Sequence, residues 1–125
     1  MKGSIHQYQA CLTVFFLRDE NPAIGIEFVV DTGFEGAMTL PMEAIRALGL
    51  PFIMELDINL ADDSSTRVAV HRGQIRWHDE DVAVAVLATG KRPLLGTALL
   101  KGSHLGIDFQ PDGNVEIISL EERLS

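Results

Sequence analysis

The chain has 125 residues, of which 46 % are hydrophobic and 22 % charged, the balance of a folded globular protein rather than of a disordered or fibrous one. That length suits a single domain with a buried core and is too short for two ordinary ones, so residues 1–125 are read as one domain. Ten Lys and Arg against eighteen Asp and Glu leave a net charge of −8, which argues against nucleic acid or an anionic membrane as a partner.

The opening stretch, MKGSIHQYQA, carries one Lys but no apolar segment with a small-residue cleavage site, and no run reaches the ~18 apolar residues of a membrane span. A cytoplasmic protein is expected. From Tyr8 to Leu17 the residues are largely β-branched or aromatic, and RDENPA then supplies a turn into a strand on which Ile24, Ile26, Phe28 and Val30 alternate, so the two form a hairpin. Cys11 lies in the apolar run QACLTVFFL and reads as a small buried hydrophobe rather than a nucleophile. As the only cysteine it allows no intrachain disulfide.

Asp31 follows the strand directly, with Thr32 and Gly33 after it. An apolar piece through Met38 and Leu40 leads to Pro41 at a first helical position, and Met42, Ile45 and Leu48 are spaced for one helix face that Gly49 and Pro51 terminate. Leu56, Ile58 and Leu60 alternate with Asp57 and Asn59, and ADDSST separates this strand from Val68 and Val70. That pattern predicts a second hairpin with a polar tip. Apolar parity shifts between Val68/Val70 and Ile75/Trp77 with Gly73 between them, which predicts a bulge or bend at Gly73. WHDEDV is expected to be a hairpin tip, and VAVAVLA, residues 82–88, an interior strand covered on both faces. PLLGTALLKG reads as a strand end and a short helix, followed by HLGIDF, a turn at PDGN, and the strand VEIIS. SLEERLS is either a solvated tail or an interface element. Many short strands with one or two short helices predict a mainly-β domain, closed or nearly closed so that few edges are free.

By itself, Asp-Thr-Gly after a buried strand is a turn: Asp bonds nearby backbone N–H groups and Gly takes positive φ. Its surroundings say more. Val29 and Val30 before the acid, DTGFEGAMTLP from Asp31 to Pro41, and PLLGTALLKGSHLGIDF about sixty residues later together resemble the retropepsin-like aspartic protease family. The pattern DTGFxG is similar to the short bacterial single-domain members of that clan. The resemblance spans residues 24–109 and implies a closed retropepsin-like β-barrel. It makes Asp31 the catalytic acid and gives Thr32 the task of bracing two active-site loops against each other. Gly33 would let the backbone approach the acid, and Leu94, Leu95 and Gly96 would form the second apolar–Gly signature, crossing behind the active loop. The flap would be the hairpin carrying Ala61, Asp62, Asp63, Ser64 and Ser65, whose tip lacks the glycine that family flaps usually carry there.

Peptide hydrolysis by this chemistry needs two carboxyl groups, one ionised to take a proton from water and one neutral to bond the scissile carbonyl oxygen. Neighbouring carboxyls in aspartic proteases generally share one proton, because two like charges so close cannot both persist. The chain has one D-[ST]-G triplet, so the resemblance implies a homodimer whose two-fold axis sets Asp31 against its copy. The reading is therefore an aspartic endopeptidase acting on peptide or protein substrates without a cofactor. The alternative is a dimeric peptide- or protein-binding module of the same fold that does not cleave.

Other constellations carry less. His6, His71, His78 and His104 form no HExxH, and one cysteine allows no CxxC, so no metal site is expected. ATGKRP fails the phosphate-loop pattern at Ala85 and Arg92, GFEG lacks dinucleotide-loop spacing, and no GxSxG elbow supports a serine triad. Asp108 in GIDF is expected to bond backbone near a strand end.

Overall fold

Alternation sets the first layers of the computed structural model, which describes residues 1–59 and 62–124. β1 (Lys2–His6), β2 (Gln9–Phe16) and β3 (Ile24–Val30) run antiparallel in turn. On β2, Leu12, Val14 and Phe16 point into the core while Thr13 and Phe15 face out. The expected hairpin is present, but its first strand begins at Gln9. Gln7 and Tyr8 instead form a glycine-free turn with φ of 49° and 66°. β1 carries few apolar residues and gave no pattern to read. It is a strand because β2 and a C-terminal strand, β10 (Asn114–Ser119), flank it. Gly3 permits that fit, since a Cβ there would strike the Cys11 carbonyl.

β4 (Met38–Leu40) is wholly buried and leads through Pro41, the residue before the helix, into α1 (Met42–Leu48). Gly49 ends α1 at φ 68°, its N–H donating to Arg46 O, as a left-handed C-terminal cap requires. β5 (Phe52–Asn59) and β6 (Ser65–Trp77) form the second hairpin; Leu60 and Ala61 lie outside the described residues. The second half of β6, from Val70 to Trp77, then pairs with β7 (Glu80–Ala88) through a tip at His78 and Asp79, both at positive φ. β8 (Leu94–Leu95), α2 (Thr97–Leu100), β9 (Ser103–Ile107), β10 and a third short helix, α3 (Leu120–Leu124), complete the chain. The segment SLEERLS thus adds a helix beyond the one or two expected.

Two strand expectations need correction. β6 has no bulge at Gly73: its register with β7 is unbroken, and the irregularity lies on β5, between Phe52 and Met54. The parity shift marks a change in which face is covered, Val68 and Val70 on one side and Gly73, Ile75 and Trp77 on the other. Gly73 leaves room for the Phe16 ring, whose nearest carbon would lie 3.0 Å from an added Cβ. β7 is interior by pairing, between β6 and β4, but covered on one face only, since Ala83 and Ala85 are exposed. Alanines on the open face made it look apolar throughout.

The strands follow the order β5-β6-β7-β4-β8-β3-β2-β1-β10-β9, mainly β and mainly antiparallel, with parallel pairs at β3–β8 and β4–β7. The sheet wraps so that β2 meets β6 as well, at the single pair Phe16↔Ile75, with Leu17 N donating to Gln74 O at 2.7 Å. The expected closure therefore rests on one crossing point rather than a full ladder. Inside the wrap Phe16 and Phe28 stack with centroids 6.2 Å apart, among Leu12, Met38, Leu40, Ile45, Ile75, Val86, Leu95 and Ile117. Each such side chain contributes about 1.5–3 kcal/mol by leaving water. Cys11 is buried as expected, and burial, foremost, raises its thiol pKa. No described helix is long and apolar enough to cross a membrane.

Candidate active site

Asp31 stands one residue past β3, at the point where β8 inserts beside it. Leu94 and Leu95 pair in parallel with Val29 and Val30 and antiparallel with Thr39 and Met38, so β8 lies between the strand entering the loop and the strand leaving it. Asp31 N donates to Leu95 O at 2.8 Å and Val29 N to Pro93 O at 3.0 Å. The Asp31 carboxylate accepts the Gly33 N–H through Oδ1 at 2.9 Å, and Phe34 N bonds Asp31 O at 3.1 Å. The strand thus ends in a tight turn that holds the half-buried acid by backbone alone. Gly33 eases the approach, because a Cβ there would lie 3.2 Å from Oδ1, a tight contact.

Gly96 and α2 hold the rest of the loop. Gly96 N donates to Ala37 O at 2.9 Å, Thr97 N to Phe34 O at 2.8 Å and Ala98 N to Gly36 O at 3.2 Å. The first N–H groups of a helix have no intrahelical partner, and here the loop carbonyls supply them. A Cβ on Gly96 would run into the Gly36 carbonyl and the Phe34 ring, so this close crossing requires glycine. The Phe34 ring lies back over Gly36, where a Cβ would meet it at 2.5 Å. That contact gives DTGFxG a physical reason: the aromatic and the second glycine form one folded unit.

The structure thus brings together Asp31, Gly33, Leu94, Leu95 and Gly96. Thr32 is exposed, and its hydroxyl bonds nothing among the described residues. Asp62 to Ser65 stand at the tip of the β5–β6 hairpin, and Ala61 lies outside the described residues. The missing glycine is replaced: Asp63 itself adopts φ 66°, and Asp62 Oδ1 accepts from Ser64 N at 3.0 Å and Ser64 Oγ at 2.5 Å. Those two bonds, the hydroxyl's first, lower the Asp62 pKa. Cross-strand partners share a face, so Met54, Leu56, Val68 and Val70 give this hairpin an apolar side. Its opposite side carries Arg67 paired with Asp57 at 3.3 Å and Glu55 at 3.5 Å.

Residues that the sequence gave no reason to choose complete the surroundings. Thr39, 3 % exposed, accepts the Leu94 N–H at 3.1 Å and donates to Arg92 O at 3.3 Å, tying β4 to β8. In the sequence it stands inside what reads as an apolar piece through Met38 and Leu40, with no local mark of its partners. Asp31 and Thr32 border a hollow of about 410 Å³ lined otherwise mainly by Val29, Val30, Leu94, Leu105 and Ile107, with Tyr8 and Phe109 at the edge. Tyr8 and Phe109 are 95 % and 76 % exposed. No described residue of the β5–β6 hairpin lines this hollow.

The other candidates lie elsewhere. Asp108 uses its backbone in the turn before β10, its N–H donating to Asn114 O at 2.9 Å, but its exposed carboxylate bonds no backbone, contrary to expectation. His78 Nε2 pairs with Ser103 Oγ at 2.7 Å, joining the β6–β7 tip to β9, and burial, foremost, lowers the His78 pKa. No group of His, Cys, Asp or Glu among the described residues could hold a metal ion.

No protein-family model and no curated protein matches the chain. Among solved structures it resembles a retropepsin-like aspartic protease from Rickettsia conorii, with a TM-score of 0.55 and 17 % identity over 95 % of this chain and 92 % of that one. The two share a fold.

Proposed function

We propose that the protein is an aspartic endopeptidase in which Asp31 of two identical chains forms the catalytic pair. The observation that carries this reading is the clamp on the acid: Asp31, its carboxylate held by the Gly33 N–H and its backbone N–H by the Leu95 carbonyl, borders an apolar hollow large enough for a side chain. The fold shared with a retropepsin-like protease supports it. So does the single D-[ST]-G triplet, since one acid cannot both accept and donate a proton in the same step.

In the proposed reaction the ionised Asp31 takes a proton from water as its oxygen attacks the scissile carbonyl carbon. The neutral Asp31 of the other chain donates to the carbonyl oxygen, and a proton then passes to the departing amine. Gly33, Leu94, Leu95 and Gly96 hold the loop, Thr32 contacts its counterpart across the pair, and the hairpin bearing Ala61 to Ser65 closes over the peptide. The buried, unpaired Cys11 suits a reducing compartment, and we place the enzyme in the cytoplasm.

Asp31→Asn should reduce peptide cleavage by about 10²–10⁴-fold with the circular dichroism spectrum and sedimentation unchanged; wild-type turnover would refute the assignment. A non-cleaving, peptide-binding dimer is the second reading, favoured by the absence of described hairpin residues from the Asp31 hollow. It predicts that the wild type binds peptides and leaves every one intact.

A further inference from the structure

A second recess, of about 470 Å³, lies away from Asp31, where the end of α1, the β2–β3 turn and the middle of β6 converge. Its lining includes Arg18, Asn21, Gly49, Arg72 and Gln74, with Asp19 the one acid among them. Arg67 has two carboxylate partners and Arg76 bonds Asp81 at 3.3 Å. Arg18, Arg46, Arg72, Arg92 and Arg123 have none among the described residues, and of these five Arg18 and Arg72 border one recess, unpaired although Asp19 borders it too. Arg18 Nε donates to Pro22 O at 3.1 Å, which anchors the side chain and leaves its terminal nitrogens free of any acid. Arg72 is fixed through its backbone, its N–H donating to Pro51 O at 2.9 Å.

We propose that this recess binds a small doubly charged oxyanion, a dicarboxylate or a phosphate, between the guanidinium groups of Arg18 and Arg72. Each guanidinium is a planar fork of donors matched to carboxylate or phosphate oxygens. Asn21 and Gln74 add amide donors. The position gives the site a mechanical meaning. Arg18 lies just past β2 in the turn to β3, whereas Arg72 lies on β6 at the root of the β5–β6 hairpin, next to His71, which faces Phe52 at the edge of the irregularity. An anion gripped by both ties the hairpin to the body of the molecule.

The test is a titration of the labelled protein with inorganic phosphate and, separately, with succinate at constant ionic strength, followed by amide chemical shifts. Saturable shifts centred on Arg18, Gly49, Arg72 and Gln74 are expected with one anion or both; phosphate alone indicates a compact ligand, succinate alone a ligand spanning the two forks. Arg18→Gln and Arg72→Gln should each weaken binding at least about tenfold, the loss of one charge-assisted hydrogen bond. Arg76→Gln, outside the recess, should leave it unchanged. Should Arg18→Gln fail to fold, Arg18→Lys keeps the charge, removes the fork and should still weaken binding. Shifts that never saturate with either anion, or affinity retained when both arginines are replaced, would overturn the proposal.

Discussion

Gly36 and Gly96 are both pressed against the Phe34 ring, yet for different neighbours. At Gly96 an added methyl meets fixed backbone, the Gly36 carbonyl, as well as the ring; at Gly36 it meets only the ring, which can turn aside. Gly96→Ala should therefore cost about 3 kcal/mol, near the upper end for overpacking, and Gly36→Ala about 1 kcal/mol. Urea unfolding of the two variants measures both, and equal losses would mean that the loop yields as easily as the ring. The acid and its glycine were legible in the sequence because Asp-Thr-Gly breaks an alternating strand. Phe34 and Thr39 were not, because their roles depend on a segment some sixty residues away: the ring packs against Gly96, and the hydroxyl bonds Leu94 and Arg92.

The β5–β6 hairpin shows how an element can keep its shape with different chemistry. Period-two alternation disclosed it, and its polar tip was placed correctly. Composition alone did not disclose that Asp63 accepts the left-handed conformation or that the Asp62 carboxylate closes the turn on Ser64. Asp62 is held below the ordinary carboxylate range by those bonds, so it stays ionised and bonded at neutral pH. A depressed carboxyl pKa favours the closed turn above the ordinary carboxylate value and loses that contribution as pH falls through the lowered one. The Ser64 amide shift should accordingly titrate with a midpoint below that of a free aspartate, and Asp62→Asn should abolish the titration. A midpoint at or above the free value would contradict the turn. β7 and β6 taught the opposite lesson: the sequence pattern was real, but alanine on an open face imitated burial, and a change of covered face imitated a bulge.

At the scale of the molecule, the mainly-β class and most strands followed from alternation and turn residues, whereas the order of pairing did not. β1 joins β10, and β8 enters between β3 and β4, through contacts that no local pattern announces. The proposed pairing of Asp31 with its copy makes a prediction here too. Below the dissociation range, the rate of peptide cleavage should grow with the square of protomer concentration, and sedimentation should show dimer appearing over the same range; strictly proportional growth would exclude a shared site. The insertion of β8 bears also on synthesis. Every backbone partner that tethers the loop from Asp31 to Ala37 to the second signature lies between residues 95 and 98. A nascent chain emerging from the ribosome thus displays its Asp-Thr-Gly before it holds the segment that arranges it, so the acid is translated early and its loop assembled late.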